Sequence, residues 1–146
     1  MAQCCDAVLD KETLTAKGEP TECALVNFAY SCGINKNEVD LNHARVSEAP
    51  FDSMRKMMST LHSYDGKVTQ FTKGAPDEIL KRCNFYMENG KAVKLTDSKR
   101  EEILTANKQM ADKALRVLAV AEKSYDAVPT FNEPSEIEQD LIFLGR

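Results

Sequence analysis

Five cysteines and two histidines are the side chains of this sequence best suited to metal binding or nucleophilic attack. The thiols are Cys4, Cys5, Cys23, Cys32 and Cys83; their number is odd, and no two form a C-x-x-C pair. Adjacent Cys4 and Cys5 are poorly placed to share one tetrahedral ion with the rest. A cysteine nucleophile needs a partner base, and neither His43 nor His62 can be tied to a thiol by spacing. The pattern reads as free thiols in a reducing compartment. No G-x-x-x-x-G-K-[ST] phosphate loop, G-x-G-x-x-G turn, H-E-x-x-H or G-x-S-x-G is present. Asp10-Lys11-Glu12-Thr13 has the outline of an aspartyl-phosphate signature, D-K-T-G-T. It lacks the glycine and no apolar strand leads into it, so Asp10 reads as a turn residue.

The elements that must position any site are legible from period and punctuation. Residues 20–32 carry Ala24, Leu25, Phe28, Ala29 and Cys32 at helical spacing, between Pro20 in the first turn and Gly33 at the stop. A polar stretch follows over 35–47, with a short helix expected near 39–45. Residues 56–63 and 67–73 flank Asp65-Gly66, and residues 85–87 and 91–95 flank Asn89-Gly90. Both dipeptides signal tight antiparallel hairpins. Pro76 should open a short helix with Asp77 and Glu78 in its first turn and Lys81 and Arg82 in its last. Ser98 and Glu101 suggest a capping box inside a helix over 97–114. Residues 116–121 read as a buried strand, 124–140 as an acidic surface loop or short helix, and 141–144 as a last strand. The expected class is α+β, an antiparallel β-sheet flanked by helices, in one domain over 1–146.

Composition narrows the function. The 146 residues are 42% apolar and 29% charged, which suits one globular domain of its own core. A net charge of -4 gives no general attraction for polyanions, so no nucleic acid partner is expected. No apolar run reaches the roughly 18 residues of a membrane span. A signal peptide would need a basic start and an apolar run where Asp6, Asp10 and Lys11 stand.

Several segments, taken in order, carry a resemblance. Gly18-Glu19-Pro20-Thr21-Glu22-Cys23-Ala24-Leu25 resembles G-[DE]-P-T-E-x-A-L of the P-type cation-transporting ATPases. Pro50-Phe51-Asp52-Ser53-Met54-Arg55-Lys56-Met57-Met58-Ser59 resembles their P-F-[DN]-S-x-R-K-x-M-S, and Lys73-Gly74-Ala75-Pro76-Asp77 their K-G-A-P-E. Leu115-Arg116-Val117-Leu118-Ala119 is similar to L-R-V-L-A, and Asp140-Leu141-Ile142-Phe143-Leu144-Gly145 to D-L-x-F-x-G. Each alone is weak; together they cover most of the chain. The resemblance is to the nucleotide-binding (N) domain of the subgroup holding calcium and sodium/potassium pumps, most like the bacterial calcium-transporting type.

That resemblance implies an ATP site and no catalytic residue or metal ligand within the chain. It makes Phe51 the adenine-stacking residue, where otherwise Phe51 reads as a core side chain behind a strand-breaking Pro50. Glu22 becomes an acceptor for the adenine amino group; otherwise it is an acid placed by the helix dipole. Lys73 would lie deep in the pocket beside Gly74, whose missing side chain would let the ligand approach the backbone. Lys56 would flank the path of base and phosphate. Arg116 reads otherwise as a snorkelling arginine interrupting an apolar strand. Ser53 stands where the sarcoplasmic-type pumps carry Arg, which shifts phosphate contacts towards Arg116, or towards Arg55 if it turns inward. Met54, Met57 and Met58 read as strand packing, with Met58 a possible lining of the adenine pocket.

The implied setting is a cytoplasmic domain of a plasma-membrane pump, with the phosphorylation and actuator domains as partners and MgATP as the substrate presented. The competing reading, from another class, is a protein-interaction or regulatory domain on the same fold.

Overall fold

Two dipeptide turns organise the sheet. Asp65 and Gly66 have φ of 47° and 82°, and Asn89 and Gly90 have 51° and 76°, the left-handed pairs that a two-residue hairpin requires. The computed structural model describes all residues, Met1–Arg146. Around the first turn, β4 (Met57–Tyr64) pairs in unbroken antiparallel register with β5 (Lys67–Gly74); around the second, β6 (Cys83–Glu88) pairs with β7 (Lys91–Lys94). With β3 (Arg45–Asp52), β8 (Ala119–Tyr125) and β9 (Leu141–Gly145) they form a seven-stranded sheet of order β3-β4-β5-β8-β9-β6-β7. The small ribbon of β1 (Val8–Leu9) and β2 (Ala16–Lys17) stands apart.

The α+β class is as expected, with one difference: β6 and β9 run parallel. They are joined through α4 (Asp97–Ala111) and β8, a crossover long enough for parallel pairing, so turn chemistry could not reveal it. The helix α1 (Pro20–Ser31) matches expectation closely, and α3 (Pro76–Lys81) has its acids at the start and Lys81 at the end. The short helix α2 (Lys36–Asn42) starts three residues before the one expected, because the Asn35 side chain accepts from Asn37 N and sets the start. Similarly, Thr96 and not Ser98 caps α4, accepting from Lys99 N, and the helix ends at Ala111. The strand expected over 116–121 begins only at Ala119 and runs to Tyr125.

Strand β4 is buried from Met57 to His62, on both faces. On one face Met57 joins Ile79, Leu80, Ala119, Ala121, Leu141 and Phe143 in the main core, roofed by α3 and α4. Towards the β3 edge that face instead meets Ile137, which packs with Ala49, Leu61 and Val68. On the other face, Met58 and Lys73 are opposed across β4 and β5, and the N-terminal segment and α1 cover them.

Candidate functional site

Glu22, Phe51, Lys56, Lys73, Gly74 and Arg116 each line one or both of two adjoining clefts, whereas Ser53, Met54, Arg55 and Met57 line neither. The larger, about 440 Å³, is bounded by Asp6, Glu19, Glu22, Phe51, Met58, Lys73, Arg116 and their neighbours. The smaller, about 250 Å³, shares Phe51, Lys73 and Arg116 and adds Lys56 and Gly74. Another cleft of about 400 Å³, between α1, α2 and the N-terminus, has eight apolar members among its ten and no cluster of charges.

Glu22 is delivered by the start of α1. Pro20 occupies the first turn, and the Glu19 carboxylate caps it by accepting from Glu22 N at 3.1 Å. The Glu22 carboxylate then binds across the fold. Its Oε2 accepts from Asp6 N (2.7 Å) and Ala7 N (3.0 Å), and its Oε1 from Lys73 Nζ (2.6 Å). A carboxylate offers about four acceptor sites, so one remains for a ligand.

Lys73 sits at the end of β5, an interior strand, and only 6% of it is exposed. Its ammonium has Glu22 on one side and Cys5 Sγ at 3.1 Å on the other. Burial disfavours the charge, but Glu22 and the Cys5 thiol outweigh it and hold the pKa above the ordinary lysine value. Lys73 is thus a stable buried cation at the cleft floor. Burial pushes the Cys5 thiol up despite the ammonium beside it.

Phe51 is 62% exposed, which removes the core reading. It lies with Pro50 in a bulge of the edge strand β3: Ala49 pairs with Ser59 and Asp52 with Met57, so these two residues oppose Met58 alone. Proline is tolerated there because an edge bulge needs no ladder donor. The ring stands at the wall common to both clefts, with buried Met58 lining the larger one.

Two expectations need correction, and a third gains a second reason. Arg116 does not interrupt a strand; it lies in the segment between α4 and β8, exposed, where it makes no ion pair. Its charge nevertheless reaches Glu19. Desolvation opposes ionisation of that carboxyl, but hydrogen bonds from Glu22 N and Thr21, with Arg116 nearby, hold it below the usual carboxylate range. Arg55 turns inward, but to protein: it binds the buried Glu138 at 2.9 Å and Pro50 O at 2.9 Å, so it is not free for phosphate. Gly74, which lines the smaller cleft, also has a packing reason that the sequence did not show, since a Cβ there would stand 2.3 Å from Lys56 O and 2.7 Å from Met57 Cβ.

Lys56 itself has a left-handed φ of 56°, and its backbone closes the turn by bonding Asp52 O and Ala75 N. Its side chain is left at the mouth of the smaller cleft. Asp6, Ala7 and Leu118 also line the larger cleft, and sequence reasoning missed them. Glu19 had a signal, an acid just before Pro20; the N-terminal pair had none, because only the long-range bonds to Glu22 bring it in.

The charges sort by cleft. The larger one gathers Asp6, Glu19 and Glu22 against Lys73 and Arg116, while the smaller gathers Lys56, Lys73 and Arg116 with no acid. An aromatic ring and a spare carboxylate site suit a base with an exocyclic amine. Three cations beside them suit a polyanion.

Comparison with known proteins gives a consistent result. The family model described as P-type ATPase, cytoplasmic domain N, matches residues 1–146. Calcium-transporting ATPase 1 of Bacillus cereus is 41% identical over 145 residues, covering 99% of this chain and 16% of that protein. Calcium-transporting ATPase 1 of Lactococcus lactis is 37% identical over 132 residues, 88% of this chain and 14% of its own length. The sodium/potassium exporting P-type ATPase cta3 of Schizosaccharomyces pombe is 38% identical over 111 residues, 75% of this chain and 10% of that protein. The chain therefore spans a small fraction of the curated relatives it matches. No helix is long and apolar enough to cross a membrane.

Proposed function

Because the chain belongs to the family of P-type ATPase cytoplasmic N domains, we propose that its paired clefts bind ATP and present the γ-phosphate to an aspartate on another domain of a calcium-transporting pump. The adenine lies in the larger cleft, stacked on Phe51 and meeting Glu22 through its amino group, with Lys73 at the floor. The triphosphate leaves through the smaller cleft past Lys56 and Arg116. Catalysis is then largely positioning: domain closure brings donor and acceptor into line, and the chain supplies binding and orientation. The phosphorylation and actuator domains are the partners, MgATP is the substrate, and the whole of residues 1–146 acts as one nucleotide-binding domain.

One observation carries the reading: a buried ammonium and an exposed aromatic ring share a cleft whose adjoining lobe holds cations alone. A domain serving only protein interaction has no use for that arrangement. The test is an ATP titration of the isolated chain followed by amide chemical shifts. Perturbation should centre on Glu22, Phe51, Lys73 and the segment around Arg116, without turnover of the nucleotide. An unperturbed spectrum at millimolar ATP would reject the proposal.

A further inference from the structure

Phe51 has no ladder partner of its own, so the strand does not fix where its ring points. Pro50 and Phe51 together oppose Met58, and bulges of this kind re-aim a side chain. What holds this one is a chain of bonds from the opposite face of the sheet. Arg55 Nη2 donates to Pro50 O at 2.9 Å, gripping the carbonyl of the peptide that leads into Phe51. Arg55 Nε donates to Glu138 Oε2 at 2.9 Å, and Glu138 is wholly buried. Ser59 Oγ, on β4, donates to Glu138 Oε1 at 3.0 Å and is within 2.8 Å of Thr72 Oγ1 on β5. The carboxylate is thus anchored to the two interior strands while its partner guanidinium anchors the bulge. Asp52 completes the turn by accepting from Met54 N and Arg55 N at 2.8 and 2.9 Å.

We infer that Glu138, acting through Arg55, is a positioning residue that aims Phe51 at the base; this rests on the nucleotide reading above. A buried ion pair is weak grounds for stability, since its desolvation offsets much of its attraction. Its geometry here has a specific consequence. It ties residue 138, in the segment before β9, to the backbone carbonyl that immediately precedes the stacking residue. The rest of that acidic segment is largely at the surface, so Glu138 stands out as the carboxylate drawn into the sheet.

The experiment compares Glu138→Gln and Arg55→Lys, each alone and combined with Phe51→Ala. In the free chain, three-bond side-chain couplings should report one χ1 rotamer for Phe51, averaging in both single variants. With ATP, both variants should lose the ring-current shift of the bound adenine protons. They should weaken ATP about five- to tenfold, part of a full stacking contribution. In the Phe51→Ala background the same substitutions should change affinity by less than about twofold, since they act through the ring. Unchanged Phe51 couplings, or equal losses in both backgrounds, would overturn the inference. If Glu138→Gln fails to fold, Arg55→Lys carries the same measurements. Absence of ATP binding to the parent chain would reject the nucleotide reading alone, because the couplings in the free chain still decide the clamp.

Discussion

Replacing Glu22 by Gln tests whether the carboxylate is a structural partner of Lys73 as well as the proposed ligand group. The change keeps the shape but removes the charge opposite an ammonium whose side chain is 7% exposed. The new amide can accept from Asp6 N and Ala7 N or from Lys73, but it then turns its own N–H donors towards the other side. Breaking a buried pair by removing one partner costs about 3–5 kcal/mol, and the opening to the cleft places this case at about 3 kcal/mol. For a domain of this size, that lowers the melting temperature by about 6–12 °C. Lys73→Met should cost less, about 1.5–2 kcal/mol, because Glu22 keeps two amide donors and water access. The double variant leaves neither charge unpaired, so its loss should fall short of the sum by at least about 1 kcal/mol. Thermal and urea unfolding of the four proteins close this cycle. A loss below about 1 kcal/mol for Glu22→Gln, or additivity within about 0.5 kcal/mol, would refute the reasoning. The sign of the pH effect is also fixed. The folded-state pKa of Lys73 is raised, so its contribution is complete below about pH 10.4, the unfolded lysine value. It is lost as pH climbs through the higher folded value.

Further outcomes follow from other contacts. Gly74→Ala should destabilise by about 1–3 kcal/mol in urea, because the new methyl meets the Lys56 carbonyl and Met57 rather than open cleft; an unchanged midpoint would mean that the Lys56 turn yields freely. His62 is buried, and burial, aided by Arg45 and Lys36 and opposed by the His43 carbonyl, pushes its imidazole below the usual value. Its stabilising contribution is therefore complete above about pH 6.5 and lost as pH falls through the lower folded value, and His62→Gln should flatten this part of the urea-midpoint profile. Burial also pushes the Cys83 thiol up to about 12, whereas Cys32 is exposed, so mass spectrometry after iodoacetamide treatment at pH 8 should find Cys32 alkylated first and Cys83 only on unfolding. Early modification of Cys83 would show that its region opens locally.

Much of the fold was legible where the signal is local. Asp-Gly and Asn-Gly turns, Pro20 and Pro76 at helix starts and the charge order of α3 each act within a few residues, and the structure follows them. The misses are of a different kind. The parallel pairing of β6 with β9 depends on how a crossover packs, and strand β3 starts within the stretch over 35–47 that read as polar and runs on through Pro50. The site divides in the same way. Glu22, Phe51, Lys56, Lys73 and Arg116 were found through motifs, and all line the clefts. The partners that hold them, Asp6 and Ala7 for Glu22 and Glu138 for Arg55, are separated by 16, 15 and 83 residues. No period or spacing rule reaches that far, and an acid in a loop rich in acids gives no sign that it will be buried.

The distribution of cations sharpens what an acidic domain can do with a triphosphate. Arg45 and Arg55 are committed to carboxylates and backbone carbonyls, and Lys73 to Glu22 and Cys5. Around the clefts, Lys56 and Arg116 remain without an ion pair, and both face the lobe that contains no acid. Paired cations fix the framework and the floor; unpaired ones keep their charge for a ligand. Under the proposed nucleotide reading, this arrangement assigns different salt responses to the two halves of the ligand. Contacts to exposed Lys56 and Arg116 are screened at a Debye length of about 8 Å in physiological salt, while stacking on Phe51 is not electrostatic. The net charge of -4 is therefore no obstacle to phosphate binding, because the field that matters is set by two uncommitted side chains beside a neutralised one.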